Sequence, residues 1–374
     1  MRSEFHLDPD LCHLNHAAVG PWPRRAAEAV ARFAEENFHQ GSLAYPRWLD
    51  TEQRLRERLA RLIAADSPDD IALAKNTSEA LSVIAHGLPW QDGDNLVGIA
   101  QEFPSNRIVW ESLADRGVTW RALDLERSSD PEADLMALCD RRTRMIAVSW
   151  VQYGRGLRLD LERIGTFCRA RDILFCVDAI QGLGALPFDL TSSQADFVVA
   201  DGHKWMLGPE GVALLYVRPE RRASLTLRQF GWRMVEHPGD FERLDWTPAA
   251  DARRFECGSP NLLGIHALEA SLSLLEEVGL ERVWSLLQAR TEYLIALIDQ
   301  RGFELLTPRE PDRRAGIVTF CVPGVPADRL YRDLMQRRVL CAQRGGGLRF
   351  SPHFHTPLDV IERAMTIVDD LLGV

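Results

Sequence analysis

Two lysines stand in this 374-residue chain, Lys75 and Lys204, and the other 42 of its 44 cationic side chains are arginines. A coding bias toward arginine would drain lysine from every position where a guanidinium serves as well, which singles out the survivors. Lys204 follows the apolar run DFVVA, in Asp201-Gly202-His203-Lys204-Trp205. An ammonium in a loop at the end of a buried strand is desolvated, and its pKa falls. An amine of lowered pKa is what a Schiff base requires, and arginine cannot replace it. Asp178 ends another apolar run, ILFCVD, where a carboxylate is costly unless it meets a cation or hydrogen-bond donors. A helix cap or an arginine pair is the competing reading. In Lys75-Asn76-Thr77-Ser78-Glu79 a strand gives way to a helix. Asn, Thr and Ser are ordinary caps there, yet the same amides and hydroxyls can hold a phosphate. A Schiff-base lysine, a carboxylate that keeps a pyridine nitrogen protonated and a phosphate cradle are the parts that hold pyridoxal 5'-phosphate (PLP).

These residues need a frame that brings three distant segments together. From about residue 70 to 217, short apolar runs alternate with helical segments: IALA (71–74), NLVGIA (95–100), VTWRAL (118–123), MIAVSW (145–150), ILFCVD (173–178), DFVVA (196–200) and GVALLYV (211–217). Buried runs separated by helices predict an α/β fold with a mostly parallel sheet covered on both faces, and ligands bind where such strands end. Helical periodicity marks 24–40 and 46–65. After an irregular stretch, about 229–258, a helical region (260–301) leads to a smaller α+β pattern with strands GIVTF (316–320), VLCAQ (339–343) and GLRFS (347–351), and a final helix from Pro357.

Composition removes several classes. A chain of this length hides roughly three quarters of its unfolded surface. No apolar run approaches the ~20 residues of a membrane helix, and the first residues lack a signal-peptide pattern, so the expected location is cytoplasmic and no membrane partner is expected. Seven scattered cysteines without a CxxC pair suggest neither a disulfide framework nor a metal site. A net charge of −10, with arginines interleaved among glutamates, offers no basic stripe for nucleic acid. A small molecule is the expected ligand.

In order and spacing, LNHAAVGP (14–21), NTSEAL, QEFPSN (101–106), VDAIQ (177–181), DGHKWMLGPEG (201–211), FECGSPN (255–261) and GLRFSPHFHT (347–356) resemble the class V aminotransferase family of fold-type I PLP enzymes. That family contains cysteine desulfurases, selenocysteine lyases, kynureninases and isopenicillin-epimerase-like proteins. The resemblance implies a large PLP-binding domain over 15–260, a small C-terminal domain over 261–374 and an N-terminal segment, 1–14, packed on the small domain. It also implies that Lys204 forms the Schiff base, Asp178 pairs with the pyridine nitrogen and Gln181 donates toward the ring's 3′ oxygen. Thr77, the amide of Ser78 and His203 would hold the phosphate. Phe103 matches an aromatic stacked on the cofactor ring, with an ordinary core phenylalanine as the competing reading. Ser259 matches a residue that reaches the other subunit's phosphate, which implies a homodimer; capping the following helix competes. Arg349 matches the arginine that grips the substrate α-carboxylate in a two-pronged bond, and Asn15 and His16 match the segment lining the substrate side.

The sequence also departs from the family. Desulfurases carry a persulfide-forming cysteine on a loop ahead of the carboxylate-binding arginine, whereas VLCAQRGGGLRF has a short glycine turn. Cys341 has an apolar strand context and reads as structural. Asp201 replaces a phosphate-binding serine; it reads as orienting His203 or capping the turn. Trp150, Tyr153, Phe103 and Trp205 suggest an aromatic pocket, and His353 and His355 read as solvent-facing or capping. The expected function is PLP-dependent chemistry at an amino acid's α-carbon, by transamination or by β-elimination of the carbon–sulfur lyase kind. Sulfur transfer of the desulfurase or selenocysteine-lyase type and amino-acid epimerisation are the alternatives. A PLP-sensing regulator would need an added DNA-binding domain, and only thirteen residues precede LNHAAVGP.

Overall fold

A computed structural model describes residues 3–373. The chain enters through a two-residue strand, β1 (Cys12–His13), and two helices, α1 (Arg24–Gln40) and α2 (Tyr45–Ile63). The apolar runs then form β2 (Ile71–Ala74), β3 (Asn95–Ile99), β4 (Thr119–Leu123), β5 (Thr143–Ser149), β6 (Leu174–Asp178), β7 (Phe197–Asp201) and β8 (Ala213–Val217). Around them lie α3 (Thr77–Gly87), α4 (Ser105–Glu111), α5 (Pro131–Ala137), α6 (Leu161–Ala170), α7 (Leu190–Ser193) and α8 (Pro219–Arg222). The helical region divides at Gly279, where φ is +81°, into α9 (Leu262–Val278) and α10 (Leu280–Gln300). The remainder holds β9 (Glu304–Leu305), β10 (Val318–Cys321), α11 (Ala327–Gln336), β11 (Val339–Leu340), β12 (Ala342–Arg344), β13 (Gly347–Phe350) and α12 (Leu358–Leu372).

The central sheet runs β2-β8-β7-β6-β5-β3-β4. Its β4, β3, β5, β6 and β7 are parallel, and only β8 opposes its neighbours β7 and β2. The fold is α/β, as the alternating runs predict. Successive side chains of a strand point to opposite faces, and they divide accordingly between two cores. Ile146, Val148, Phe175, Val177 and Val198 join one core, while Met145, Ala147, Cys176, Phe197 and Val199 join the other. The antiparallel β7–β8 step needs no crossover helix, so the intervening loop (202–212) stays at the carboxyl edge of the sheet. That loop carries Lys204.

A second sheet, β12-β13-β10-β9, is antiparallel and has its own core. The run 339–343, read as one strand, divides at Cys341: β11 pairs in parallel with β1, and β12 pairs with β13. The sequence reading did not separate out α11, whose buried contacts rest on Leu330 and Leu334 alone, nor the two-residue strands β1 and β9.

Candidate functional site

β5 and β6 end side by side at Ser149 and Asp178, β7 runs two residues further to Asp201, and only Lys75 and Asn76 separate the end of β2 from the start of α3. A cavity of about 410 Å3 opens on these ends, lined from the second sheet by Arg344 and Arg349. The topology thus converges Thr77, Ser78, Phe103, Asp178, Gln181, His203, Lys204 and Arg349 on one space.

Lys204 is buried. Burial lowers its pKa to about 8, with Asp178 and Asp201 acting against the fall and Arg349 adding to it. Two glycines let other backbone close over this loop. The amide of Gly20 donates to the His203 carbonyl at 2.8 Å, and a Cβ there would lie 2.4 Å from the Lys204 carbonyl oxygen. At Gly184, φ is +92° and a Cβ would lie 2.4 Å from the Trp205 oxygen, so a side chain is excluded twice over.

Asp178 is buried too, and burial raises its pKa to about 6. The Ile180 amide, donating to Oδ1 at 3.0 Å, and the charge of Lys204 oppose that rise. No arginine pairs with it among the described residues; its cation is Lys204. Gln181 accepts at Oε1 from the Trp205 indole at 2.8 Å and donates from Nε2 to the Ala17 carbonyl at 3.0 Å. One Nε2 hydrogen remains for a ligand.

The start of α3 fits an anion. Asn76 is the cap, its Oδ1 accepting from the Glu79 amide at 2.9 Å. The amides of Thr77 and Ser78 have no protein acceptor among the described residues, and the open end of an eleven-residue helix attracts negative charge. The Ser78 hydroxyl meets that of Ser105 at 2.8 Å, and Thr77 Oγ1 accepts from the Asp201 amide at 3.2 Å. His203 Nδ1 lies 3.0 Å from Asp201 Oδ1, but too poorly aligned for a hydrogen bond. Phe103 is not a core phenylalanine. It is 42% exposed, its ring edge-on to Tyr153 at 5.3 Å and 5.5 Å from Lys204 Nζ. A free helix end, an open aromatic face and a buried amine beside a buried carboxylate together fit PLP.

Arg349 is buried without a carboxylate partner among the described residues. It donates to the Tyr153 carbonyl at 2.8 Å and to Asn15 Oδ1 at 3.3 Å, and its Nε has no partner. Burial, with Arg344 next, lowers its pKa to about 10. A guanidinium held in this way requires an anion.

Several expectations are corrected. His16 does not line the cavity. Its Nδ1 meets the Ser351 carbonyl at 2.9 Å and its Nε2 meets His355 Nε2 at 3.1 Å, which turns the ring into a cluster with His13 and His353. His353 is fully buried rather than solvent-facing: Nε2 meets the Trp205 carbonyl at 3.0 Å and Nδ1 accepts from the Phe354 amide at 2.7 Å. His355 is half-buried beneath the Phe5 ring, 3.5 Å between centroids. Trp150 and Trp205 belong to the core, and only Phe103 and Tyr153 of the expected aromatics line the cavity. Ser259 is exposed, lies outside this cavity's lining and is not a helix cap, since Asn261 caps α9. Cys341, by contrast, is buried as its structural reading expects, its thiol pushed up to about 12 by burial.

Sequence reasoning passed over two residues. Glu102, within the QEFPSN stretch, is buried behind Ser149 and accepts from its amide at 2.7 Å and from its hydroxyl. Burial first, and then the charge of Asp178, raise its pKa to about 7. Arg344 is one arginine among 42, and nothing in its neighbours' types marks it.

The model of the family described as aminotransferase class-V matches residues 17–353. The chain is 31% identical to isopenicillin N epimerase of Streptomyces clavuligerus, over 100% of this chain and 98% of that one. It is 28% identical to a probable cysteine desulfurase of Methanothermobacter thermautotrophicus, over the same shares. Among solved structures, a C-DES variant with glycine covalently linked to its PLP cofactor superposes with a TM-score of 0.90 over 97% of each chain at 23% identity, a likeness of fold. The chain belongs to the class V aminotransferases, a family of PLP-dependent enzymes.

Proposed function

We propose that this enzyme removes the α-proton of a bound amino acid and directs the product toward transamination or β-elimination. The observation that carries the reading is one cavity lined by a buried lysine, a buried aspartate and an arginine without an acid. PLP supplies there an aldehyde that bonds amines covalently and a ring that withdraws electrons from the α-carbon. Lys204 Nζ, its pKa brought down to about 8, would be both the attachment point and the base that moves the α-proton. Asp178 would keep the proton on the pyridine nitrogen, and the free Nε2 hydrogen of Gln181 would be available to the ring's 3′ oxygen. Phe103 offers the face on which the ring would stack. Thr77, Ser78 and His203 would hold the phosphate, with the Asp201 carboxylate 3.0 Å from His203 Nδ1. Arg349, steadied by Asn15, takes the α-carboxylate.

The site is completed by a second copy of the chain, with the partner's Ser259 reaching the phosphate. Its exposure and its freedom from capping support this. For the division into residues 15–260 and 261–374, with 1–14 packed on the smaller part, the β1–β11 pairing supports only the packing of the N-terminal segment, whose first two residues lie outside the described ones. Ile265, Leu268 and Leu272 of α9 share the core of the central sheet and argue for a boundary beyond α9.

Sulfur transfer is disfavoured because no described cysteine lines the cavity: Cys341 is buried, and Cys257 and Cys321 lie outside the lining. Epimerisation is the second reading, favoured by the 31% identity to isopenicillin N epimerase. The test is to reconstitute the protein with PLP and present an amino-acid panel, following ketoacid, sulfide, ammonia and α-proton exchange together. A yellow protein whose borohydride-fixed chromophore is lost in Lys204→Ala is expected. A wild type that takes up no PLP overturns the reading.

A further inference from the structure

Arg349 and Arg344 project from one face of an antiparallel pair. Arg349 of β13 lies opposite Ala342 of β12, and Arg344 is two residues beyond Ala342. The three side chains therefore share a face, and the two arginines are diagonal neighbours, ~7–8 Å apart at the backbone. Both line the cavity. The turn after Arg344 is fixed by Gly345 and Gly346, with φ of +61° and +89°. Arg155 secures it, donating from Nε to the Gly345 carbonyl at 2.8 Å, and its own charge is answered by Glu126 at 3.0 Å.

No carboxylate among the described residues answers Arg344 or Arg349. Arg344 spends one N–H on the Gln343 carbonyl at 2.8 Å, and the partners of Arg349 are the Tyr153 carbonyl and Asn15. The cavity's own acids serve other groups, Asp178 facing Lys204 and Asp201 facing His203. Two guanidiniums that repel each other over one space are relieved when anions enter it. The α-carboxylate satisfies Arg349 and leaves Arg344 over.

Building on the function proposed above, we propose that Arg344 determines specificity by binding a second anionic group, so that the site takes amino acids with an acidic side chain. The group is a carboxylate or sulfinate at the end of the side chain, reached across the cavity from the α-carboxylate on Arg349. Arg344 is exposed at the rim, so solvent screens the contact and selectivity of about tenfold is expected.

The test compares kcat/KM of the holoenzyme for glutamate, aspartate and cysteine sulfinate with that for norvaline, alanine and cysteine. The wild type should prefer the acidic set. Arg344→Gln should lower the acidic-to-neutral ratio about tenfold, chiefly through KM, and Arg344→Lys should restore part of it. Calorimetric titration gives a readout without turnover: glutarate should bind the wild type more tightly than butyrate, and Arg344→Gln should remove the difference. Equal binding of glutarate and butyrate, or an unchanged ratio in Arg344→Gln, overturns the inference. A protein that takes up no PLP fails the proposed function itself, whereas one that takes up PLP and turns over only neutral amino acids fails this inference alone.

Discussion

The charges of Asp178 and Lys204 offset each other's burial: the aspartate holds the lysine pKa up against desolvation, and the lysine, after the Ile180 amide, holds the aspartate pKa down. They line one cavity because β6 and β7 are adjacent and parallel, with Asp178 beside Val199 and the Lys204 loop at the carboxyl edge of the sheet.

That coupling sets a pH dependence. Attack on the PLP aldehyde needs the neutral amine, so uptake by the apoprotein should quicken as pH rises through about 8 and level off above it. Asp178→Asn removes the charge that favours the ammonium, and the midpoint should move down by roughly one pH unit. Chromophore appearance followed against pH measures it. A midpoint that stays in place in Asp178→Asn would remove the aspartate from this role. Turnover of the same variant should fall about a hundredfold or more, because the ring loses its proton-holding partner.

Glu102 gives a dependence of opposite origin. Its pKa is raised from 4.5 to about 7 by burial and by Asp178, so between those values the folded protein holds a proton that the unfolded chain has lost. Stability from this group therefore falls as pH rises through that window. Glu102→Gln does not titrate. Its unfolding free energy relative to wild type should improve steadily between about pH 5 and 8, measured by urea denaturation. Parallel curves for the two proteins would show that Glu102 is ionised throughout.

The sheet and its loaded ends were legible because buried parallel strands read as unbroken apolar runs, and Asp178 and Lys204 are the polar residues that interrupt or follow them. Phe103 and Thr77 were legible only as members of a motif. Arg344 was invisible for a physical reason: its meaning lies in a cross-strand register with Arg349, and no local pattern encodes a register. His16 was misplaced for a similar reason. Its segment does pass the cavity, with Ala17 and Ala18 in the lining and Asn15 bonded to Arg349, but the ring is claimed by Ser351 and His355 from far along the chain.

The loop bearing Ser259 is anchored by a buried ion cluster. Glu256 accepts two bonds from Arg56, at 2.6 and 2.8 Å, and one from the Leu73 amide at 2.8 Å, while Glu52 takes another from Arg56 at 2.6 Å. Arg233, also buried, pairs with Glu52 and lies 3.6 Å from Glu256, so removing Glu256 leaves two buried cations on one carboxylate and the Leu73 amide unanswered. Glu256→Ala should cost about 3–5 kcal/mol in equilibrium unfolding, and a loss under about 1 kcal/mol would show that water replaces the carboxylate.

Acid sensitivity should centre on the histidines where the N-terminal segment meets β13. Burial holds His13 and His353 down at about 4 and His16 and His355 well below the ordinary value of 6.5, with Arg290 adding to the fall at His353 and His355. Between about pH 6.5 and 4 the unfolded chain accepts protons that the folded protein refuses, so stability falls as pH falls through that window. His353→Gln keeps a donor and an acceptor but cannot titrate. At pH 7 it should lose about 1–3 kcal/mol from imperfect replacement of the bonds to Trp205 and Phe354, yet its melting temperature should decline less steeply on acidification than the wild type's. A variant that loses stability with the same slope would place the acid-sensitive groups elsewhere. A variant with a shallower slope would show that this junction, and with it the backing of the Lys204 loop through the Trp205 carbonyl, is what acid opens first.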